Sequence, residues 1–245
     1  RIDQIRSSVL AESMPDLLFA LEASGANVSA GQAAALEKLF SLTSNDPEIL
    51  VYGAETLAEI GMKYGHPGWR HLGMSLQAET VLRRAVAFAD QAVQLRPDSE
   101  LDRKQAARCR DALGSVLIEM GRYREAGEIL EEGLRRSEGV RLAAGVRAGL
   151  LGSLSRIAFH ERDWKRCLRL RNRFVEERKA LLAAEPEAPG NWMDYSGALA
   201  ARGYLLREMG RYEESLADYE ESDRLLAHVG RGDVLRRYSE WQLAR

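Results

Sequence analysis

Apolar residues between Ala112 and Leu134 fall three and four positions apart. Ala112, Leu113, Val116, Leu117 and Met120 share one helical face, and Ala126, Ile129, Leu130 and Leu134 share another. Gly121-Arg122-Tyr123 separates the two runs, so the spacing predicts helix, tight turn, helix. The pentapeptide Glu119-Met120-Gly121-Arg122-Tyr123 returns intact as Glu208-Met209-Gly210-Arg211-Tyr212, 89 residues on. Leu199, Gly203 and Leu206 precede that copy, and Leu216, Tyr219 and Leu225 follow it. A repeat of about half that spacing predicts a further copy midway. Arg162-Asp163-Trp164 supplies it, between Leu151, Leu154, Ile157 and Ala158 on one side and Cys167, Leu168, Leu170 and Phe174 on the other. Upstream, Gly73 is followed by Ala78, Leu82, Ala85 and Val86 at the same offsets. The turn positions 73, 121, 162 and 210 lie 48, 41 and 48 residues apart.

The pattern predicts an all-α chain of four helix–turn–helix units, at 45–97, 98–138, 139–186 and 187–230. Residues 1–44, with Ile5, Val9, Leu10, Leu17, Leu18 and Leu21, predict N-terminal helices packing on the array, and 231–245 a C-terminal capping helix. Tyr64 to His71 reads as a loop inserted in the first unit. The punctuation agrees. Asn45-Asp46-Pro47-Glu48 is a cap, a first-turn proline and a first-turn acid. Arg96-Pro97-Asp98-Ser99 ends one helix and caps the next, and Pro186 to Gly190 repeats the device. No β-branched alternation and no Asn-Gly or Asp-Gly hairpin turn offers a strand reading.

Charge narrows the function. Thirty-five Lys and Arg stand against 37 Asp and Glu, a formal charge of −2, so no basic excess predicts nucleic-acid binding. The longest uncharged stretch, Ala23 to Leu36, is 14 residues and polar, too short to span a bilayer, and no membrane insertion by this segment is expected. The chain opens at Arg1 without a leader, which reads as a soluble piece of something longer. No Gly-x-Ser-x-Gly is present, and Glu131-Glu132 and Glu213-Glu214 read as solvated helix faces, so no catalytic residue and no cofactor is expected. His66 and His71 flank Trp69 without a carboxylate or thiolate beside them, and no metal site is expected. Cys167 reads as a core thiol, and its pairing with Cys109 is left open.

The residues resemble the tetratricopeptide repeat (TPR) family. Its pattern is a Leu-Gly pair in the first helix, Gly and an aromatic at the turn, then small, large and small residues along the second. Unit two carries Leu113-Gly114, Gly121, Tyr123, Ala126, Leu130 and Gly133. Unit four carries Gly203, Gly210, Tyr212, Ser215, Tyr219 and Ser222, with Arg202 in place of leucine. Unit three carries Leu154-Ser155, Arg162, Trp164 and Cys167, with Arg171 where a large apolar residue is usual. The period exceeds the family's usual 34, so longer helices are expected. The resemblance implies a right-handed superhelical solenoid whose concave side is lined by the first helices. A narrower resemblance, over Arg1-Ile2-Asp3-Gln4-Ile5-Arg6, the Asn45-Asp46-Pro47 start and the stretched first repeat, is to the C-terminal sensor regions of bacterial receptor-type serine/threonine kinases. It implies a non-catalytic ligand-receiving module beyond a membrane helix, in the periplasm. A cytoplasmic regulator is the alternative. This chain holds no kinase motif of its own.

Such a groove receives a protein or peptide, and self-association as a homodimer or scaffold is the competing use. The first-helix faces left over from the core carry the candidate binding residues: Arg108, Asp111, Ser115 and Glu119 in unit two, Arg156 and His160 in unit three, Tyr204 and Arg207 in unit four. Tyr204 is the expected aromatic anchor, and Arg156 and Arg207 the expected carboxylate or carbonyl ligands. Asp111 and Ser115 occupy positions where the family's chaperone-tail clamp needs Lys and Asn, so that clamp is not expected. Finally, Arg162, Lys165, Arg166, Arg169, Arg171 and Arg173 make one second helix basic. Glu208, Glu213, Glu214, Asp218, Glu220, Glu221 and Asp223 make the next one acidic. The two are expected to exchange rim salt bridges, or else to dock a charged partner.

Overall fold

The computed structural model describes residues 46–65 and 73–229. The predicted N-terminal helices at 1–44 and the capping helix at 231–245 lie outside these residues, as do His66 and His71. Among the described residues there are eight α-helices and no strand. They are α1 (Pro47–Gly65), α2 (Ser75–Leu95), α3 (Glu100–Glu119), α4 (Tyr123–Ser137), α5 (Ala144–His160), α6 (Trp164–Ala184), α7 (Pro189–Glu208) and α8 (Tyr212–Val229), with a 3₁₀ turn at Arg141–Ala143 before α5. The architecture is all-α and consistent with an α-solenoid. Tyr64 and Gly65, read from the sequence as loop, are the buried last residues of α1, because Tyr64 continues the apolar face of Leu57 and Ile60. The chain divides at Val146/Arg147 into two compact units.

Two of the three caps the punctuation predicts form; at Pro186 to Gly190 the proline Pro189 opens α7, but the N-cap falls on Ala188, whose side chain has no acceptor. Asp46 Oδ1 accepts from the Glu48 N–H at 2.9 Å. The Ser99 hydroxyl accepts from Asp102 N–H at 3.2 Å, and Asp102, wholly buried, is held by Arg96 through two 2.9 Å bonds. Asp163 caps α6 in the same manner, accepting from Arg166 N–H at 2.9 Å. The turns between paired helices need one left-handed residue each. Gly73, Gly121 and Gly210 supply φ of 71°, 73° and 75°. In the third pair the position falls on Arg162, at φ 57° the one non-glycine residue in that region among those described.

Pairing within each unit follows a fixed register. A Cβ on Gly114 would stand 2.4 Å from Leu130 Cγ, and one on Gly61 2.5 Å from Leu82 Cγ. In both pairs a second-helix leucine therefore inserts against a bare first-helix backbone. In the fourth pair a Cβ on Gly203 would stand 3.2 Å from the Ser215 carbonyl oxygen and 3.4 Å from the Tyr219 ring, and the Ser215 hydroxyl donates to the Gly203 carbonyl at 2.7 Å. The third pair keeps the offsets with other residues: the Cys167 thiol donates to the Ser155 carbonyl at 3.3 Å. The inserting position, sixteen residues after Ser155 as Leu130 is after Gly114 and Tyr219 after Gly203, is Arg171.

One stretch, Arg141–His160, has the length and a mean hydropathy of 1.2 that would cross a membrane, which the uncharged-stretch argument did not detect. Its Leu150, Leu151, Leu154 and Ile157 are core residues, and its Arg147 is clasped by Glu177 at 2.6 and 2.9 Å. This is the profile of a helix packed in a protein core. Cys109 and Cys167 are both buried free thiols. Burial pushes the Cys109 thiol up to about 12, and the Cys167 thiol shifts in the same direction for the same reason. Neither is a reactive nucleophile.

Candidate functional site

In the first unit, α1 and α3 pack side by side, so their outward residues share one surface. Arg108 bridges the helices. Its Nη1 donates to Glu55 at 3.0 Å, and its Nη2 lies 3.9 Å from Glu59. Tyr52 stands at the same spacing along α1, and its phenol is raised by burial and then by Glu55 and Glu59. Asp111 is half-buried and Glu119 exposed on the same helix. Ser115 is 4% exposed, so it is packed between helices and does not line an open surface. The stripe from Tyr52 to Glu119 is acidic, with its one arginine already engaged. Glu55, Glu59 and Tyr52 escaped the sequence reading because the stretched turn hid the first helix of unit one. Their i, i+3, i+7 spacing was the available signal.

The second unit is different in kind. Tyr204 on α7 is 40% exposed. Arg207, one turn on, lies over its ring at 4.8 Å, a cation–π contact worth about 0.5–1 kcal/mol at such a surface. The Tyr204 ring also meets Phe159 of α5 at 5.6 Å, and Phe159 meets Trp164 edge-on at 5.3 Å. Ala158, Cys167 and Leu205 form the buried layer beneath these rings. His160 is exposed and Arg156 half-buried on α5. The structure thus joins Tyr204 with Arg207 as expected and adds Phe159 and Trp164. Phe159, beside His160, was visible in the sequence only as another apolar residue. The surface combines an exposed aromatic ring with guanidinium groups, the residue types that dominate binding energy at protein interfaces.

Two arginines stand at apolar positions of the repeat, and their surroundings differ. Arg202, in the leucine position, donates from Nε and Nη2 to both oxygens of Asp218 at 2.8 and 2.6 Å and from Nη1 to Asn172 at 3.3 Å. The Asp218 bonds raise its pKa. Arg171 is 7% exposed, and its Nε and Nη1 have no acceptor. Its guanidinium stacks on Phe159 at 5.6 Å, and burial lowers its pKa.

Rim pairing between consecutive second helices occurs in the first unit, where the sequence reading did not place it. Arg122 donates to Glu79 at 2.5 Å, and Arg83 of α2 pairs with Glu125 of α4. On the basic helix α6, Arg166 pairs with Glu161 at 3.3 Å, and on the acidic helix α8, Glu214 takes Arg211 at 2.6 Å and Asp218 takes Arg202. Lys165 and Arg169 on one helix and Glu213, Glu220 and Asp223 on the other are exposed. Among the described residues no three His, Cys, Asp or Glu side chains cluster as a metal site.

The tetratricopeptide repeat family model matches residues 107–139 and 196–225. These are the parts of the second and fourth helix pairs that carry Gly114 with Leu130 and Gly203 with Tyr219. No curated protein matches the chain. Among solved structures the chain is similar to BtubC (BKLC) from P. vanneervenii, at 12% identity over 95% of this chain and 94% of that one, with a TM-score of 0.49. The chain carries tetratricopeptide repeats at two positions, and repeats of this family generally bind protein partners.

Proposed function

We propose that this chain is a non-catalytic receptor for a protein or peptide, and that the first-helix surface of its second unit makes the contact. The observation that carries this reading is the exposed Tyr204 ring, held between Phe159 and Arg207. An aromatic side chain kept rigid by its neighbours contributes contact area at low entropic cost. Arg207 supplies donors for carboxylates and carbonyls beside it, and Arg156 and His160 lie on α5 within one turn of Phe159. A displayed random-peptide library selected on the wild-type chain supplies ligands for the test. Affinity for the selected peptides is expected to fall at least tenfold in Tyr204→Ala and Arg207→Ala and to stay constant in Arg135→Ala, a change at an exposed second-helix residue of the first unit. Equal affinity in all three variants overturns the reading.

The finer assignment is a sensor region of a bacterial membrane-anchored serine/threonine kinase, lying outside the cytoplasm. Its support is the likeness of residues 1 to about 50 to such regions, together with the long repeat period. Reporter fusions at the C-terminus of the natural full-length protein test it. Alkaline phosphatase activity without cytoplasmic reporter fluorescence is expected, and the reverse pattern assigns the chain to a cytoplasmic regulator.

A further inference from the structure

Arg171 occupies the position at which the other three helix pairs insert Leu82, Leu130 or Tyr219 against the first helix. A guanidinium there is expensive. It is stripped of water, and two of its nitrogens find no acceptor, each such group forfeiting the hydrogen bond it had in solvent. Arg202 shows how this fold neutralises a misplaced arginine: Asp218 grips it with both oxygens, and Asn172 takes a third N–H. Around Arg171 the neighbours are the Cys167 thiol, the Phe159 ring and the phenols of Tyr204 and Tyr219. None of these is an anion. The Cys167 thiol stays protonated, because burial raises it.

The location gives the deficit a meaning. Phe159 contacts Arg171 with its ring and Tyr204 with the same ring system. Tyr204 is 40% exposed and belongs to the binding surface. The unsatisfied cation therefore sits one aromatic layer below the surface that receives the partner. We infer that Arg171 is the floor of an oxyanion site reached past Tyr204, where an anionic group of the bound peptide, carboxylate or phosphate, completes the hydrogen bonding of the guanidinium. The inference rests on the proposed role of the second unit's surface. It adds that the anchor is an anion, held by a second-helix residue at a core position.

The experiment uses the whole chain, with acetate and phosphate as separate probes and sodium chloride at matched ionic strength as reference. In wild type, each effective oxyanion should shift the Arg171 Nε–H resonance of ¹⁵N-labelled protein saturably. It should also raise the melting temperature by about 2–4 °C near tenfold saturation. A response to acetate alone identifies a carboxylate site, and to phosphate alone a phosphate site. Arg171→Met restores an apolar knob. It should melt about 2–4 °C above wild type in chloride and lose the oxyanion response. Arg171→Lys, which keeps a cation, covers the case in which the Met variant fails to fold, and should retain a weaker response. The inference is overturned if neither anion moves the Arg171 resonance beyond the chloride control, or if Arg171→Met keeps the full thermal response. Loss of this site with intact Tyr204-dependent peptide binding would leave the proposed function standing. A saturable anion response beside Tyr204-independent binding would sink the proposed function alone.

Discussion

The second and third helix pairs share one register and obey it to different degrees. In the α3–α4 pair every local rule agrees: Gly114 receives Leu130, Ala126 fills its niche with no exposure, and Gly121 takes the left-handed turn. In the α5–α6 pair each of these positions departs. Ser155 replaces the glycine, Cys167 the alanine, Arg162 the turn glycine and Arg171 the leucine. Two departures are absorbed locally, since the Cys167 thiol reaches the Ser155 carbonyl. The other two are not. Arg162 adopts φ 57° against its Cβ, and Arg171 carries an unsatisfied cation. A fold that breaks its own pattern in one repeat, next to an exposed aromatic surface, concentrates cost where the proposed partner would offset it.

The contrast is most easily broken at Gly114. A Val side chain there would drive its Cβ to 2.4 Å from Leu130 Cγ. Gly114→Val should destabilise by about 2–3 kcal/mol through overpacking, read as a lower denaturant midpoint at unchanged slope. Ser155→Ala, at the same register position of the third pair, already has room for a Cβ and should cost less than about 1 kcal/mol. Equal losses in the two variants would show that the register argument is wrong.

The turns give a smaller effect of opposite sign in the two pairs. Nothing lies within 4 Å of a Cβ on Gly121, so the penalty for Gly121→Val is conformational, about 1–2 kcal/mol for a β-branched residue held at positive φ. Arg162→Gly should do the reverse and stabilise by about 0.5–1 kcal/mol, since glycine accepts the left-handed region freely. Both are read by thermal unfolding. A destabilised Arg162→Gly would mean that the arginine side chain contributes more than its backbone strain costs.

The fold was legible because its signals are local and repeated. Two identical pentapeptides, caps at Asp46 and Ser99, and a 3.6-residue apolar period all report within a single helix pair. The proposed binding surface was half legible. Tyr204 and Arg207 lie one turn apart, so their stacking follows from sequence spacing. Phe159 reaches Tyr204 across forty-five residues, and no local pattern announces such a contact. Ser115 failed as a surface candidate because α3 is packed on nearly every side, with buried residues running unbroken from Ala112 to Ile118. A helix of that kind has no free stripe from which to read a groove. Arg171 was visible as a break in the pattern. Its lack of an acceptor depends on which side chains surround it, and only the packed structure shows that.

The smallest expected effect lies in the well-ordered pair and depends on pH. Glu132 is held below its ordinary pKa by Arg136 first, with Arg135 assisting, through hydrogen bonds of 2.6 and 2.5 Å. A carboxylate depressed in the folded state contributes stability above its unfolded pKa and loses it as pH falls through the folded value. Glu132→Gln should therefore be slightly less stable than wild type from about pH 5 upward, by under about 0.5 kcal/mol because the pair is largely solvated. The difference should shrink as pH falls below the ordinary glutamate range and vanish only below the depressed folded value, where the wild-type carboxyl also becomes neutral. Arg136 also lies 3.1 Å from Asp90, so part of its charge stays compensated in the variant, which keeps the loss small. Unfolding curves of the two proteins at pH 7 and at a series of successively lower pH values decide the matter. A gap that persists undiminished in acid would assign the effect to packing of the Glu132 stem, because a lost ion pair cannot act after the carboxylate is protonated.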